Sequence, residues 1–156
     1  MQKGKTINEL KLGDTASFTK IITEEDVNLF AKISGDHNPV HLDEAYASTT
    51  LFQTRIAHGM LVASLFSTVL GTELPGPGSI YLGQEARFVK PVKLNDTITA
   101  TVSVSEIILE KNRIRQPFCF PALAESPFFR FSGFSGAMTG GKPFRRLQNS
   151  QPQTAW

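Results

Sequence analysis

Regular alternation of apolar and polar residues predicts β-strands in both halves of the chain. It is clearest in residues 97–109, where apolar side chains at every second position alternate with polar ones, mostly threonine and serine. Residues 15–22 and 79–90 read as two further strands, and Gly83 marks a bulge in the second of them. Another strand begins near Arg113. The pattern therefore predicts a fold that contains a substantial β-sheet.

Two longer segments predict helices of different kinds. Residues 24–33 follow Thr23, an N-cap residue, and end before Gly35, a residue typical of the position after a helix C-terminus. Residues 59–70 are apolar almost all the way round, so this helix is expected to be buried on every side. It is too short to span a bilayer. Between the two helices, residues 43–50 predict one or two helical turns.

The pattern changes at about residue 116. Residues 116–156 contain no valine or isoleucine, yet they hold seven of the 12 phenylalanines and five of the nine prolines. This composition is poor for strands, which favour β-branched residues and exclude proline from their interiors. We therefore predict a domain over residues 1–115 and an atypical tail over residues 116–156. The tail is either disordered or loosely packed, or it results from a change of reading frame near Arg115, which sequencing the coding DNA would reveal.

Composition narrows the class of protein. With 156 residues, of which 40% are hydrophobic and 19% charged, the chain suits a single globular domain. No segment resembles a membrane span or a signal-peptide core, and the single Cys119 cannot form an intramolecular disulfide, so a cytoplasmic location is expected. The net charge of +2 comes from the tail, because residues 1–115 carry 12 basic and 13 acidic side chains. Neither nucleic acid nor a membrane is expected as a partner.

The side chains best suited to proton transfer are concentrated in the segment SGDHNPVH, residues 34–41. A carboxylate can orient or deprotonate water, and an imidazole can accept and return a proton near neutral pH. Asp36 and His41 are therefore a candidate pair for adding water across a double bond. Asn38 would bridge the loop or fix the imidazole, and Pro39 is expected to keep the segment bent and non-helical.

The start of the apolar helix could complete such a site. If Gly59 begins that helix, its backbone N–H and the helix dipole can polarise a thioester oxygen as enolate charge develops. Glycine suits this position because a ligand must approach the backbone closely.

Plainer readings of the same residues stay open at this point. An Asp-x-Asn-Pro segment is usually a turn whose side chains bond to their own backbone. His37 is expected to be exposed and His58 to be structural rather than catalytic. Arg87 and Lys90 are either a solvated strand end or contacts for phosphate groups. No metal site is predicted, because the histidines and nearby acids lack a recognised ligand spacing.

Three stretches, taken together, resemble one family. They are SGDHNPVHLDEAYA, IAHGMLVASLFSTVLGTELPGPGSIYLGQ and RFVKPV, which occur in this order within residues 7–115. They resemble the MaoC-like (R)-specific enoyl-CoA hydratases. The resemblance implies an α+β hot-dog fold, in which an antiparallel sheet wraps around a central helix at residues 59–70, usually as a homodimer. Residues 116–156 do not resemble the two final strands of the family, which are therefore expected to be altered or missing.

The same resemblance assigns roles to individual residues. It places the catalytic aspartate and histidine on Asp36 and His41, the oxyanion-hole glycine on Gly59 and a supporting serine on Ser67. The implied reaction is reversible hydration of a trans-2-enoyl-CoA to the (R)-3-hydroxyacyl-CoA, with coenzyme A as part of the substrate and no metal or redox cofactor. A hot-dog thioesterase and a catalytically inactive acyl-thioester-binding protein, a consequence of the altered tail, are the alternatives.

Overall fold

The computed structural model describes residues 3–86, 88, 90–120 and 131–137, the last of these through its backbone. Its strands are β1 (Thr15–Ile21), β2 (Ser79–Glu85), β3 (Thr97–Ser103), β4 (Glu106–Ile108), β5 (Arg113–Cys119) and β6 (Phe131–Ala137). Its α-helices are α1 (Glu24–Ser34), α2 (Pro39–Leu42), α3 (Glu44–Ser48) and α4 (Gly59–Thr68). Among these described helices, none combines the length and the apolar character that crossing a bilayer requires.

The strands form one antiparallel sheet in the order β1-β3-β5-β6-β2, with β4 paired to β5 beside this path. β1 and β3 pair along their whole length, starting with Thr15 opposite Ser103. The hydroxyl groups of Thr19 and Thr99 lie 2.9 Å apart across this pair. Within the described residues, β1 and β2 are therefore the two edges of the sheet.

The central helix α4 packs its apolar side against this sheet. One core joins the buried α4 residues Leu61, Val62, Ala63, Leu65 and Phe66 to the sheet residues Ile98, Ala100, Val102, Ile114 and Phe118. This is the hot-dog arrangement that the sequence predicted, and that prediction is confirmed. The expectation that the helix is buried on every side is wrong for the single chain, because Met60 is 52% exposed and Ser67 is exposed as well.

The strand predicted over residues 97–109 divides into β3 and β4 because the chain changes partner between them. The amide of Val104 donates to the carbonyl of Asp14 at 2.8 Å, at the β1 side of the sheet. The amide of Ser105 donates to the carbonyl of Arg115 at 3.0 Å, on β5. The alternation itself ends here, because Ser105 and Glu106 are both polar, and the prediction wrongly continued one strand past this point.

β1 and α1 lie within one residue of their predicted limits, but β2 does not. It ends at Glu85, whereas the prediction extended the strand to residue 90. The predicted bulge is confirmed, because the register between β2 and β6 shifts between Tyr81 and Gly83.

β5 crosses the boundary that the sequence predicted at residue 115. Its buried positions alternate as Ile114, Gln116 and Phe118, so residues 116–119 of the predicted tail belong to the sheet. β6 pairs with both β5 and β2. β5 and β6 are the last two strands of the chain, and they occupy the place of the final strands that were expected to be altered or missing. The predictions of a disordered or frame-shifted tail cover residues 116–156, of which 121–130 and 138–156 lie outside the described residues.

Candidate active site

Helix α1 ends directly at the segment that carries the candidate pair. The helix begins with a capping box between Thr23 and Asp26, in which each side chain bonds to the other residue's backbone amide. It ends at Gly35, which has a φ of 78° and donates its amide to the carbonyl of Ala31 at 2.9 Å. Glycine adopts this left-handed geometry readily. The chain thus leaves the helix abruptly, and Asp36 follows at once.

The loop then bonds to itself and starts a short helix. The Asn38 amide donates to Oδ1 of Asp36 at 3.2 Å, and the Asn38 side chain accepts from the Val40 amide at 3.3 Å. Pro39 is the first residue of α2, where its missing N–H is not needed. The expectation that proline keeps this segment non-helical is therefore wrong, and His41 lies on a helix.

The imidazole of His41 is held in one tautomer. The residue is 9% exposed, and its Nδ1 lies 2.8 Å from the carbonyl oxygen of Ile56. Because a carbonyl oxygen can only accept, we assign the proton to Nδ1. Nε2 of the neutral ring is then left with its lone pair, which is the form that accepts a proton from water.

Arg55 fixes the backbone of the same histidine. Its Nε donates to the His41 carbonyl at 2.8 Å, while its Nη1 pairs with Glu24 of α1 at 2.6 Å. Its own amide donates to Glu44 of α3 at 3.1 Å. Residues 55 and 56 therefore hold both the backbone and the ring of His41. Nothing in the local sequence pattern pointed to Arg55, since its contacts join three separate helices.

His58 links the pair to the start of α4. Its Nε2 lies 3.0 Å from the carbonyl oxygen of Asp36, and its ring centroid lies 3.9 Å from that of His41 and 5.0 Å from that of Phe30. The residue is 2% exposed. Burial lowers the pKa of His58, although the hydrogen bond to Asp36 opposes that shift. The sequence predicted only a structural role for this histidine.

Three possible metal donors meet here, more than the sequence spacing suggested. A carboxylate oxygen of Asp36 and one ring nitrogen each from His41 and His58 lie within 4.8 Å of one another. Zinc requires nitrogen lone pairs that point at one metal from about 2.0–2.1 Å. The two imidazole rings instead overlap at 33° to each other, so their in-plane lone pairs do not converge well on one point. The geometry suits proton transfer better than metal binding, and the absence of a metal stays a prediction.

Gly59 is the first residue of α4, directly after His58 at the N-cap position. No side chain caps the first turn of this helix. A Cβ atom at residue 59 would stand 2.9 Å from the ring of Phe88, a distance that real Cβ atoms essentially never show. Glycine therefore allows the aromatic ring to lie directly against the helix terminus. The predicted helix start is confirmed.

These groups line a largely apolar cavity of about 450 Å³. Its walls include the apolar residues Phe30, Phe52, Ile56, Ala57, Met60, Val62, Phe88, Pro91 and Val92. Asp36, His41, His58 and Gly59 also line it. A volume of this order lies within the range of about 300–1,000 Å³ that is usual for small-molecule sites. The sequence did not predict the aromatic wall, because its members come from distant parts of the chain.

The remaining candidates are placed differently. Lys90 is exposed and lines the cavity, whereas Arg87 lies outside the described residues. Ser67 is exposed on α4, and within the described part of the chain it neither lines the cavity nor bonds to Asp36 or His41. Its supporting role stays a prediction.

Comparison with known proteins gives this site a context. A family model described as MaoC like domain matches residues 8–117. A curated (R)-specific enoyl-CoA hydratase of Rhodospirillum rubrum is 54% identical over 103 residues, which cover 66% of this chain and 72% of that relative. A 3-hydroxybutyryl-CoA dehydratase of Methylorubrum extorquens is 48% identical over 107 residues, which cover 69% of this chain and 68% of the relative.

The fold is similar to that of solved relatives as well. An R-hydratase from Pseudomonas aeruginosa, solved in the unliganded form, matches with a TM-score of 0.72 at 41% sequence identity. The match covers 92% of this chain and 97% of that one.

Proposed function

Since this chain belongs to the family of MaoC-like domains, we propose that it is an (R)-specific enoyl-CoA hydratase, a hydro-lyase. It adds water reversibly to a trans-2-enoyl-CoA, and the product is the (R)-3-hydroxyacyl-CoA. The observation that carries this proposal is that Asp36, His41 and the first turn of α4 line the same largely apolar cavity.

The first part of the proposed mechanism concerns water. Asp36 orients a water molecule with its carboxylate, and Nε2 of His41 accepts a proton from that water as its oxygen bonds to C3 of the substrate. The carbonyl of Ile56 keeps the other ring nitrogen protonated, so the ring presents its lone pair to the water. His41 then returns this proton to C2 on the same face of the substrate, which makes the addition syn. One molecule of water is consumed, and neither side chain is altered at the end.

The second part concerns the charge that develops on the substrate. As the hydroxyl group adds to C3, the thioester oxygen gains enolate character. The Gly59 amide and the positive end of the α4 dipole stabilise this charge, and apolar walls strengthen the effect by excluding water. The reaction transfers no electrons to an acceptor, so coenzyme A takes part only as a portion of the substrate and no redox cofactor is required.

The cavity suits the acyl part of the substrate rather than its nucleotide. Its largely apolar lining would hold a short or medium acyl chain. Lys90 is exposed beside it and would contact the phosphate groups, with Arg87 as a second candidate.

We further propose that the enzyme is a homodimer joined through the β2 edge. β2 is an edge of the described sheet, and its Ile80 and Leu82 are 39% and 44% exposed. An exposed edge strand with apolar side chains is a ready site for pairing with another chain.

Light scattering on the purified protein is expected to give the mass of two chains, and Leu82→Lys should lower that mass. The matched control Leu12→Lys changes an exposed leucine elsewhere and should leave the dimer intact. A monomeric wild type would refute the dimer.

The proposed activity is tested with crotonyl-CoA. Hydration removes the conjugated double bond, so the absorbance of the enoyl thioester should fall after the protein is added, without release of free thiol. Release of free thiol would indicate the thioesterase instead. A folded sample that leaves the absorbance unchanged would contradict both activities.

A further inference from the structure

We infer that His58 is a positioning residue that holds the water-handling loop in register with the start of α4. This inference rests on the proposed function, but its structural part can be tested without turnover. His58 contacts the candidate pair at two points, the carbonyl of Asp36 and the ring of His41. It is also the residue that directly precedes Gly59. One buried side chain thus ties the proton-transfer groups to the proposed oxyanion donor.

The hydrogen bond determines which His58 nitrogen carries the proton. The Asp36 carbonyl can only accept, so Nε2 of His58 carries the proton and donates at 3.0 Å. Nδ1 is buried and has no hydrogen-bond partner within the described residues. A proton on Nδ1 would therefore be buried without an acceptor, which is unfavourable. The neutral tautomer with its proton on Nε2 is the form that fits.

The surroundings of His58 favour the same neutral form. The titratable groups that face it are His41, Asp36 and His37, and the Phe30 ring packs on it from α1. Burial is the largest influence and lowers the pKa of His58 below its ordinary value of 6.5. A charged His58 would also place a positive charge against the ring of His41, which must itself accept a proton in the reaction. A neutral His58 leaves His41 free to take that proton.

Positioning by His58 should affect turnover more than binding. A displacement of about 1 Å at the reacting groups can lower a rate by about 10²-fold. His58→Met replaces the imidazole with an apolar side chain of similar bulk, so the hydrogen bond to the Asp36 carbonyl is lost. We expect this variant to lose about 10²-fold in kcat on crotonyl-CoA with little change in KM. His58→Gln places an amide N–H near the position of Nε2 and should stay within about tenfold of the wild type.

The split between kcat and KM separates positioning from a general loss of structure. A general loss of structure in His58→Met would weaken substrate binding and raise KM, whereas a displaced catalytic pair lowers kcat. His58→Gln restores a donor to the Asp36 carbonyl, so it should recover most of the lost kcat. The matched control is His37→Gln, because His37 lies on the same loop but is exposed. That variant should keep both the kcat and the KM of the wild type. Thermal unfolding of each variant verifies that it is folded.

Two results would overturn the inference, and each differs from a failure of the proposed function. If the wild type hydrates crotonyl-CoA and folded His58→Met matches it in kcat, His58 does not position the site. Histidine NMR of the wild type gives the second test, which needs no activity. We expect the neutral form of His58 to carry the proton on Nε2, and burial to lower the pKa of His58 below the ordinary value of 6.5. A His58 that titrates at its ordinary value, or carries its proton on Nδ1, contradicts the inference whether or not turnover occurs.

Discussion

The Asp36→Asn variant is expected to hydrate crotonyl-CoA about 10²–10⁴ times more slowly than the wild type, and His41→Gln should lose activity over the same range. The first change removes the carboxylate that orients water but keeps the side-chain shape. The second removes the Nε2 lone pair that accepts the proton. Steady-state rates of absorbance loss on purified, folded variants measure both effects.

The control for these variants is Asp43→Asn. Asp43 lies in the same part of the chain, and its carboxylate caps α3 by accepting from the Tyr46 amide at 3.0 Å. Asparagine caps helices about as well as aspartate does, so this variant should retain activity and stability. If Asp36→Asn or His41→Gln turned over at a rate close to that of Asp43→Asn, the proposed roles would be refuted.

The Phe118→Ala variant is expected to lose about 3–5 kcal/mol of unfolding free energy. Phe118 is 1% exposed, and its ring stacks on Phe66 of α4 at a centroid distance of 4.9 Å. Tyr81 meets the same ring edge-on at 6.1 Å. Removing the ring leaves a cavity between the central helix and the sheet. Since domains of this kind have a total stability of about 5–15 kcal/mol, the loss would be severe.

Urea unfolding measures this loss, and the neighbouring Cys119 gives the control. Cys119 is on the exposed side of β5, so Cys119→Ala should change the unfolding free energy by less than about 0.5 kcal/mol. If Phe118→Ala lowered the unfolding free energy as little as Cys119→Ala does, Phe118 would not contribute to the core, contrary to the packing described above.

The parts of the site that depend on local sequence could be predicted. Thr23 and Gly35 mark the two ends of α1 because caps act within a few residues. Asp36 and His41 were recognisable because both lie in one short segment with chemically distinctive side chains. Pro39 was misread for an equally local reason, since the same residue that ends a helix also suits the first position of the next one.

The parts that depend on distant contacts could not be predicted. His58 bonds to a carbonyl 22 residues away, and Arg55 pairs with a carboxylate 31 residues away. Neither contact leaves a local pattern, because each joins residues far apart in the sequence. The extent of β5 was missed for a different reason. Pro117 lies inside β5, opposite Ser132, although proline is usually excluded from strand interiors. Phe118 beside it fills a core position by stacking on a helix far away in the chain.

The configuration of the product formed from crotonyl-CoA tests the central claim most directly. The purified full chain is incubated with crotonyl-CoA, and the 3-hydroxybutyryl product is resolved by chiral chromatography. Water delivered from the side of Asp36 and His41 to a thioester held at Gly59 should give the (R)-product alone. An (S)-product, a racemic mixture, or no hydration by a folded sample that still binds the acyl-CoA would contradict the account.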